Sequence, residues 1–194
     1  MIHAHDIAKH YGDKRVLRGI DFSLPSGGFL LVTGQNGSGK TTLLRLCTGL
    51  AAPSSGTLEV NAERSEIGFV GHDPLVYKEL TALENLDLFG RLYGVSERRE
   101  RVGMLLERFG LWEARNDRVA TISRGMTQRL ALCRALLHEP RLLILDEPYS
   151  ALDAEGAELL DRELAERRGR ATFLVATHDP ARLDNLASGR VALA

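Results

Sequence analysis

The chain has 194 residues, with Lys+Arg 25 against Asp+Glu 26 and a formal net charge of −1. Hydrophobic residues make up 44%, charged residues 26% and aromatic residues 6%, which excludes disorder, collagen-like repeats and a disulfide scaffold and suits one soluble domain with a sizeable core. Near-neutral charge with few aromatics also argues against nucleic-acid binding by phosphate neutralisation and base stacking.

The N-terminus has no basic region leading into an apolar run, so no signal peptide is expected. Residues 2–9 and 58–60 read as antiparallel strands. Phe29-Leu30-Leu31-Val32 is a continuous apolar run, the pattern of a strand buried on both faces. A Gly-rich turn and a helix over about residues 41–49 follow, and residues 67–70 suggest another strand. From Pro74 to Arg134 the pattern becomes helical. Thr81 with Glu84 forms a capping box, Leu83, Leu86 and Leu92 follow at helical spacing, and Gly94 ends the helix. Ser96 can cap a second helix, with Val102, Leu105, Leu106 and Phe109 as its apolar stripe and Gly110 as its stop. Residues 142–145 and 173–176 are two further buried strands. The stretch 142–145 is the longest purely aliphatic one, far short of the ~20 residues of a membrane span. Cys47 and Cys133 lie far apart in apolar helical patterns, as reduced buried thiols would. Strands alternating with helices imply βαβ units and a mostly parallel sheet. The expected division is a single domain, 1–194, with residues 1–73 and 135–194 as an α/β core and 74–134 as an inserted helical subdomain.

Gly34-Gln35-Asn36-Gly37-Ser38-Gly39-Lys40-Thr41 fits GxxxxGK[ST] between a strand and a helix, and Thr42 follows in the same turn. Its glycines let backbone N–H groups curl around phosphate oxygens at the positive end of a helix dipole. Lys40 can reach the β and γ phosphates, and the Thr41 hydroxyl can ligate Mg²⁺. The strand over residues 142–145 runs into Asp146 and Glu147, two carboxylates where ligands bind in open α/β sheets. Asp146 is placed to hold Mg²⁺, directly or through water, and Glu147 to polarise an attacking water.

Ile122-Ser123-Arg124-Gly125-Met126-Thr127-Gln128-Arg129 resembles the LSGGQ-x-QR signature of ATP-binding-cassette (ABC) ATPases. Ser123 would cap the following helix, so its hydroxyl and the Gly125 amide can face an anion. The resemblance implies that this helix end meets the γ-phosphate held by another subunit. It also implies that Tyr11 stacks on adenine, that the Ser150-Ala151-Leu152-Asp153 loop crosses the dimer interface, and that His178 contacts the γ-phosphate. The fold it implies is that of a P-loop NTPase (RecA-like): an α/β, mostly parallel sheet core, an antiparallel β addition and an inserted helical subdomain. The function it implies is ATP hydrolysis by Lys40, Glu147 and His178, with ATP and Mg²⁺ bound between two copies, or between this chain and a similar cassette. Integral-membrane transporter subunits are the implied partners, and the implied place is cytoplasmic, peripheral on the inner face of the cell membrane. A soluble, non-transport ABC ATPase is the rival from another class.

Two positions depart from the family pattern. The signature has Arg124 and Met126 where Gly and Gln are usual, and Arg124 can point to the anion or to solvent. Where the family carries a Gln that touches Mg²⁺ and links to the membrane partner, this chain has Gly71-His72-Asp73-Pro74. His72 or Asp73 takes that position, and an imidazole is a poor ligand for a hard cation. Gly71-His72 followed by Glu79-Leu80-Thr81-Ala82-Leu83-Glu84-Asn85-Leu86 is similar to the ATPase subunit of the haem exporter of cytochrome c maturation. Other small bacterial exporters are the alternative.

Overall fold

A computed structural model describes residues 1–193. Two sheets form the frame. Strands β1 (Ile2–Tyr11), β2 (Lys14–Leu24) and β4 (Ser55–Val60) make an antiparallel sheet in the order β2-β1-β4. Strands β3 (Phe29–Gly34), β5 (Ile67–Val70), β6 (Leu142–Asp146), β7 (Thr172–Ala176) and β8 (Gly189–Leu193) make a parallel sheet in the order β5-β6-β7-β3-β8. Helix α1 (Lys40–Cys47) follows β3, and α5 (Ala154–Arg167) lies between β6 and β7. Between β5 and β6 come α2 (Ala82–Leu92), α3 (Arg98–Arg108) and α4 (Arg124–Leu136). No helix among the described residues is long and apolar enough to cross a membrane.

The continuous apolar runs supply two cores because alternate side chains leave opposite faces of the parallel sheet. Leu30, Val32, Leu142, Ile144, Leu174 and Ala176 pack with Leu43, Leu44 and Leu46 of α1 and with Ile2, Ile7, Leu17 and Leu24 of the antiparallel sheet. Their neighbours Leu31, Leu143, Leu145, Phe173 and Val175 pack with Leu86, Leu105, Leu106, Leu130 and Leu160 from the helices on the other side. The sheet ends are therefore held from both faces. Edge strands β2 and β8 carry mixed patterns that the sequence reading does not register.

The helical stretch differs from expectation at three residues. The capping box forms, with the Thr81 side chain accepting from Glu84 N and the Glu84 carboxylate from Thr81 N. Yet Leu83 is 36% and Leu92 69% exposed, and the buried positions of α2 are Ala82, Asn85, Leu86 and Gly90. A small residue and an amide occupy this face for local reasons. Asn85 exchanges hydrogen bonds with both backbone groups of Tyr77 and donates to Thr81 O, pinning the incoming loop. A Cβ on Gly90 would lie 2.6 Å from the Arg98 side chain, so the glycine lets α3 approach. Ser96 is not a cap, because α3 begins at Arg98 after Glu97 in a left-handed turn (φ 48°) with no side-chain cap. The rest of the α3 stripe, Val102, Leu105, Leu106 and Phe109, is buried as the spacing predicts.

Cys47 and Cys133 are free, buried thiols. Burial pushes the Cys47 thiol up to about 12 and raises that of Cys133 as well, so neither is a thiolate near neutrality. A thiol alkylating reagent at mildly alkaline pH should leave both unmodified in the folded chain and modify both in concentrated denaturant. Rapid labelling of the folded chain, followed by mass spectrometry, would contradict this packing.

Candidate functional site

The site forms where the parallel strands end together. Val32 pairs with Ala176, Val70 with Leu145 and Asp146 with Ala176, so the chain leaves β3, β5, β6 and β7 along one edge. The loop after β3 turns sharply at Gly34 (φ 150°), where a Cβ would lie 2.5 Å from Leu193 O and 2.6 Å from Ser38 Oγ. Only glycine fits there. Gly37 (φ 85°) has nothing within 4 Å of the position a Cβ would take, so the loop stays open to a ligand. Lys40 is buried, donating to Gly34 O at 2.8 Å and Gln35 O at 3.3 Å, with Glu147 Oε1 at 3.5 Å. The Thr41 hydroxyl donates to Asp146 Oδ2 at 2.6 Å, joining the start of α1 to the end of β6. Burial raises the Asp146 carboxyl above the ordinary carboxylate range, and the Thr41 hydrogen bond opposes this in part.

Glu147 has φ 48°, a left-handed backbone that costs a non-glycine residue on the order of 1–3 kcal/mol. Its N–H donates to Ala176 O, and its Oε2 accepts from both His178 N (3.2 Å) and His178 Nδ1 (2.7 Å). The strained turn places the carboxylate between Lys40 and His178 rather than along the strand. One cavity of about 540 Å³ gathers Asn36, Gly37, Gly39, Lys40, Thr41, Thr42, His72, Asp146, Glu147 and His178. Lys14, Val16, Arg124 and Ser150 also line it. His72 lines both this cavity and a neighbouring hollow; Asp73 lines only the hollow, with Thr41, Arg45, Leu50, Phe69 and Leu75.

Two observations fit a polyphosphate here. Ser38 Oγ is buried inside the loop without a hydrogen-bond partner, a state that costs about 1–3 kcal/mol, and Asn36, Gly37 and Gly39 of the same loop line the cavity. Thr41 and Asp146 offer hard oxygens suited to Mg²⁺. No cluster of three His, Cys, Asp or Glu residues able to hold a metal occurs among the described residues.

Tyr11, Ser123, Gly125 and Asp153 lie outside this cavity. Tyr11 ends β1, 51% exposed, with Lys9 Nζ 4.9 Å from its ring centroid. Ser123 caps α4, accepting from Met126 N at 3.1 Å. Gly125 sits against the loop after β6, where a Cβ would be 3.3 Å from Ala151 O. Asp153 Oδ1 caps α5 through Gly156 N and accepts from Arg129, which also reaches Glu155. The sequence reading missed Lys14, across the β1–β2 turn from Tyr11, and the anchoring role of Arg129. No local signal marks Lys14, because only the folded position of the β1–β2 turn brings it to the cavity.

A glycine-rich loop between a parallel strand and a helix, facing an acidic strand end, defines a P-loop nucleotide-binding fold. The family model described as ABC transporter matches residues 17–150, and the chain belongs to that family. It is 40% identical over 185 residues to the uncharacterized ABC transporter ATP-binding protein YxlF of Bacillus subtilis (strain 168), covering 92% of this chain and 62% of that protein. It is 39% identical over 191 residues to a daunorubicin resistance ATP-binding protein of Streptomyces coeruleorubidus, covering 92% and 60%. The chain thus spans about three fifths of the length of these relatives. Among solved structures, it resembles an ATP-binding cassette captured as a dimer in a post-hydrolysis state with ADP and Pi. That likeness has a TM-score of 0.87 and 27% identity, covering all of this chain and 94% of that one.

Arg129, 5% exposed, ties α4 to the head of α5. Arg129→Ala should cost about 2 kcal/mol in urea denaturation, Asp153→Ala less, and the double variant less than the sum. Strict additivity would show that the two residues do not act as one unit.

Proposed function

We propose that the chain is the ATP-binding and ATP-hydrolysing subunit of a membrane ABC transporter. The observation that carries this reading is the convergence of Lys40, the Thr41–Asp146 contact and the Glu147–His178 pair in one cavity at the phosphate loop. In the proposed reaction Glu147 accepts a proton from water as the water oxygen bonds to the γ-phosphorus. The bond from the γ-phosphorus to the bridging oxygen breaks, releasing ADP and phosphate. Lys40 and His178 bear on the charge of the transferring group, from the loop side and the β7 side respectively. Mg²⁺, when bound, neutralises charge on the β and γ oxygens; Thr41 and Asp146 would hold it, and His72 would meet phosphate or a bridging water.

Tyr11 is assigned the adenine ring, supported by its exposed face at the end of β1. Ser123 and Gly125 are assigned the nucleotide of a second copy, or of a similar cassette, in an ATP-dependent dimer. Asp153 joins that interface as a positioning residue, consistent with its two internal hydrogen bonds. Residues 1–73 and 135–194 form the nucleotide core of this reading, and 74–134 the helical subdomain. The hollow lined by Leu50, Phe69, His72 and Leu75 supports docking of an integral-membrane partner, with the chain peripheral on the inner face of the cell membrane. A narrower reading, export of haem for cytochrome c maturation, is favoured only by Gly71-His72 and the Glu79-to-Leu86 stretch. Neither curated relative described above carries that function in its name.

Glu147→Gln should keep ATP binding, trap an ATP-bound dimer in gel filtration and lower turnover by orders of magnitude. Lys40→Ala should lose binding itself. Near-normal turnover in Glu147→Gln would remove Glu147 from this role. Purification of the chain from native membranes should bring an integral-membrane protein with it, whose identity decides the cargo.

A further inference from the structure

Strand β1 carries histidines that the nucleotide site does not use. Successive side chains of a strand leave opposite faces, so Ile2 and Ala4 enter the core while His3 and His5 emerge on the outer face of the antiparallel sheet. His3 lies opposite Ser23 on β2 and Glu59 on β4, and His5 lies opposite Thr57. With Asp21, these residues line a hollow of about 480 Å³. No Lys or Arg lines it, and it shares no residue with the phosphate-loop cavity. Two imidazoles beside two carboxylates, with no cationic side chain among them, suit a cation.

The rings are already held in place. Asp6 has a left-handed backbone (φ 49°) where β1 breaks register with β2, between Ala4 and Ile7. There Asp21 Oδ1 accepts from Asp6 N at 3.0 Å and from His5 Nδ1 at 2.8 Å. These hydrogen bonds hold the Asp21 carboxyl below the ordinary carboxylate range. An ionised carboxylate only accepts, so a neutral His5 keeps its proton on Nδ1 and a lone pair on Nε2. His3 Nδ1 lies 3.1 Å from Ser23 Oγ, an oxygen that can accept in the same way. Neither Nε2 has a hydrogen-bond partner among the described residues. Metal-ligating histidines are oriented by just such an acceptor on the second ring nitrogen.

We propose that His3 and His5 bind a divalent ion of the zinc class through their Nε2 atoms, with Asp21 orienting His5 and water completing the shell. Alternate residues of a strand lie about 6.5 Å apart. A lean of both rings along the strand brings two nitrogens to the ~2.0–2.1 Å of a zinc–imidazole bond. Imidazole suits zinc, copper and nickel, whereas magnesium and calcium prefer oxygen. No three His, Cys, Asp or Glu residues gather closely enough to hold a metal among the described residues, so the protein supplies two ligands and water the others. Binding here is independent of any nucleotide at the phosphate loop.

The test titrates zinc chloride into the isotope-labelled full chain, free of nucleotide and magnesium, and follows the imidazole nitrogen signals by NMR. The Nε2 signals of His3 and His5 should shift together and saturate at one ion per chain, ahead of those of His10, His72, His138 and His178. Calorimetry of the same titration should lose this binding step in His3→Ala, in His5→Ala and in the double variant. Both side chains are exposed, so these variants keep the core. Asp21→Asn should weaken zinc by roughly tenfold or more, because the amide orients His5 less firmly. Zinc that shifts His72 or His178 while His3 and His5 stay unmoved overturns the proposal, as does unchanged zinc affinity in the double variant. Unchanged affinity in Asp21→Asn overturns the orienting role given to Asp21.

Discussion

The cavity depends on one constraint: β3, β5, β6 and β7 run parallel and stop in step, as the pairings of Val32 and Asp146 with Ala176 and of Val70 with Leu145 require. Gly34, Gly71-His72, Asp146-Glu147 and Thr177-His178 therefore leave the sheet along a single edge. The register is set away from that edge, by the two cores. A slip of one residue in β3 would exchange Leu30 and Leu31 between the α1 side and the α4 side of the sheet. Packing that has no chemistry of its own thus fixes how far Lys40 lies from Glu147.

Helix α4 carries that geometry across the molecule. Its first turn abuts the loop after β6 through Gly125, and its middle holds the head of α5 through Arg129. Its last turn and the residues just after it reach β5, where Arg134 donates to Phe69 O and His138 Nε2 to Ile67 O. Phe69 precedes Gly71 and His72 by only a few bonds. One buried helix therefore holds both the loop before Asp153 and the strand that delivers His72. A displacement of α4 along its axis would disturb both ends together, because the Arg129 and Arg134 side chains that make these contacts are buried and expensive to leave unpaired.

Much of this was legible in the sequence wherever the signal was local or doubled. Strands buried on both faces read as continuous apolar runs, so β3, β5, β6 and β7 stand out. The phosphate loop shows itself by glycine spacing, and the Ser123 and Thr81 caps by side chains that act within one turn. Strands β1 and β2 meet with several register shifts, and those breaks erase the period that would have marked β2. The buried face of α2 carries Asn85 and Gly90, chosen for a loop and a close helix approach, so a count of leucines misplaced it. Residue type alone left Arg124 undecided between anion and solvent.

The site also holds polar atoms that the protein itself does not satisfy. Ser38 Oγ inside the phosphate loop and Glu147 Oε1 beside Lys40 are both buried without a hydrogen-bond partner. Each such atom costs about 1–3 kcal/mol, and the left-handed backbone of Glu147 adds strain of similar size. These costs are borne by the same cores that align the strand ends, which leaves the groups pre-set instead of relaxed onto one another. A phosphate oxygen cannot supply a hydrogen bond to a carboxylate, but it can accept one from Ser38. A water can donate to Glu147 Oε1. The two unmet atoms therefore ask for different partners, an acceptor at the loop and a donor at the end of β6, as a phosphate approached by water would provide.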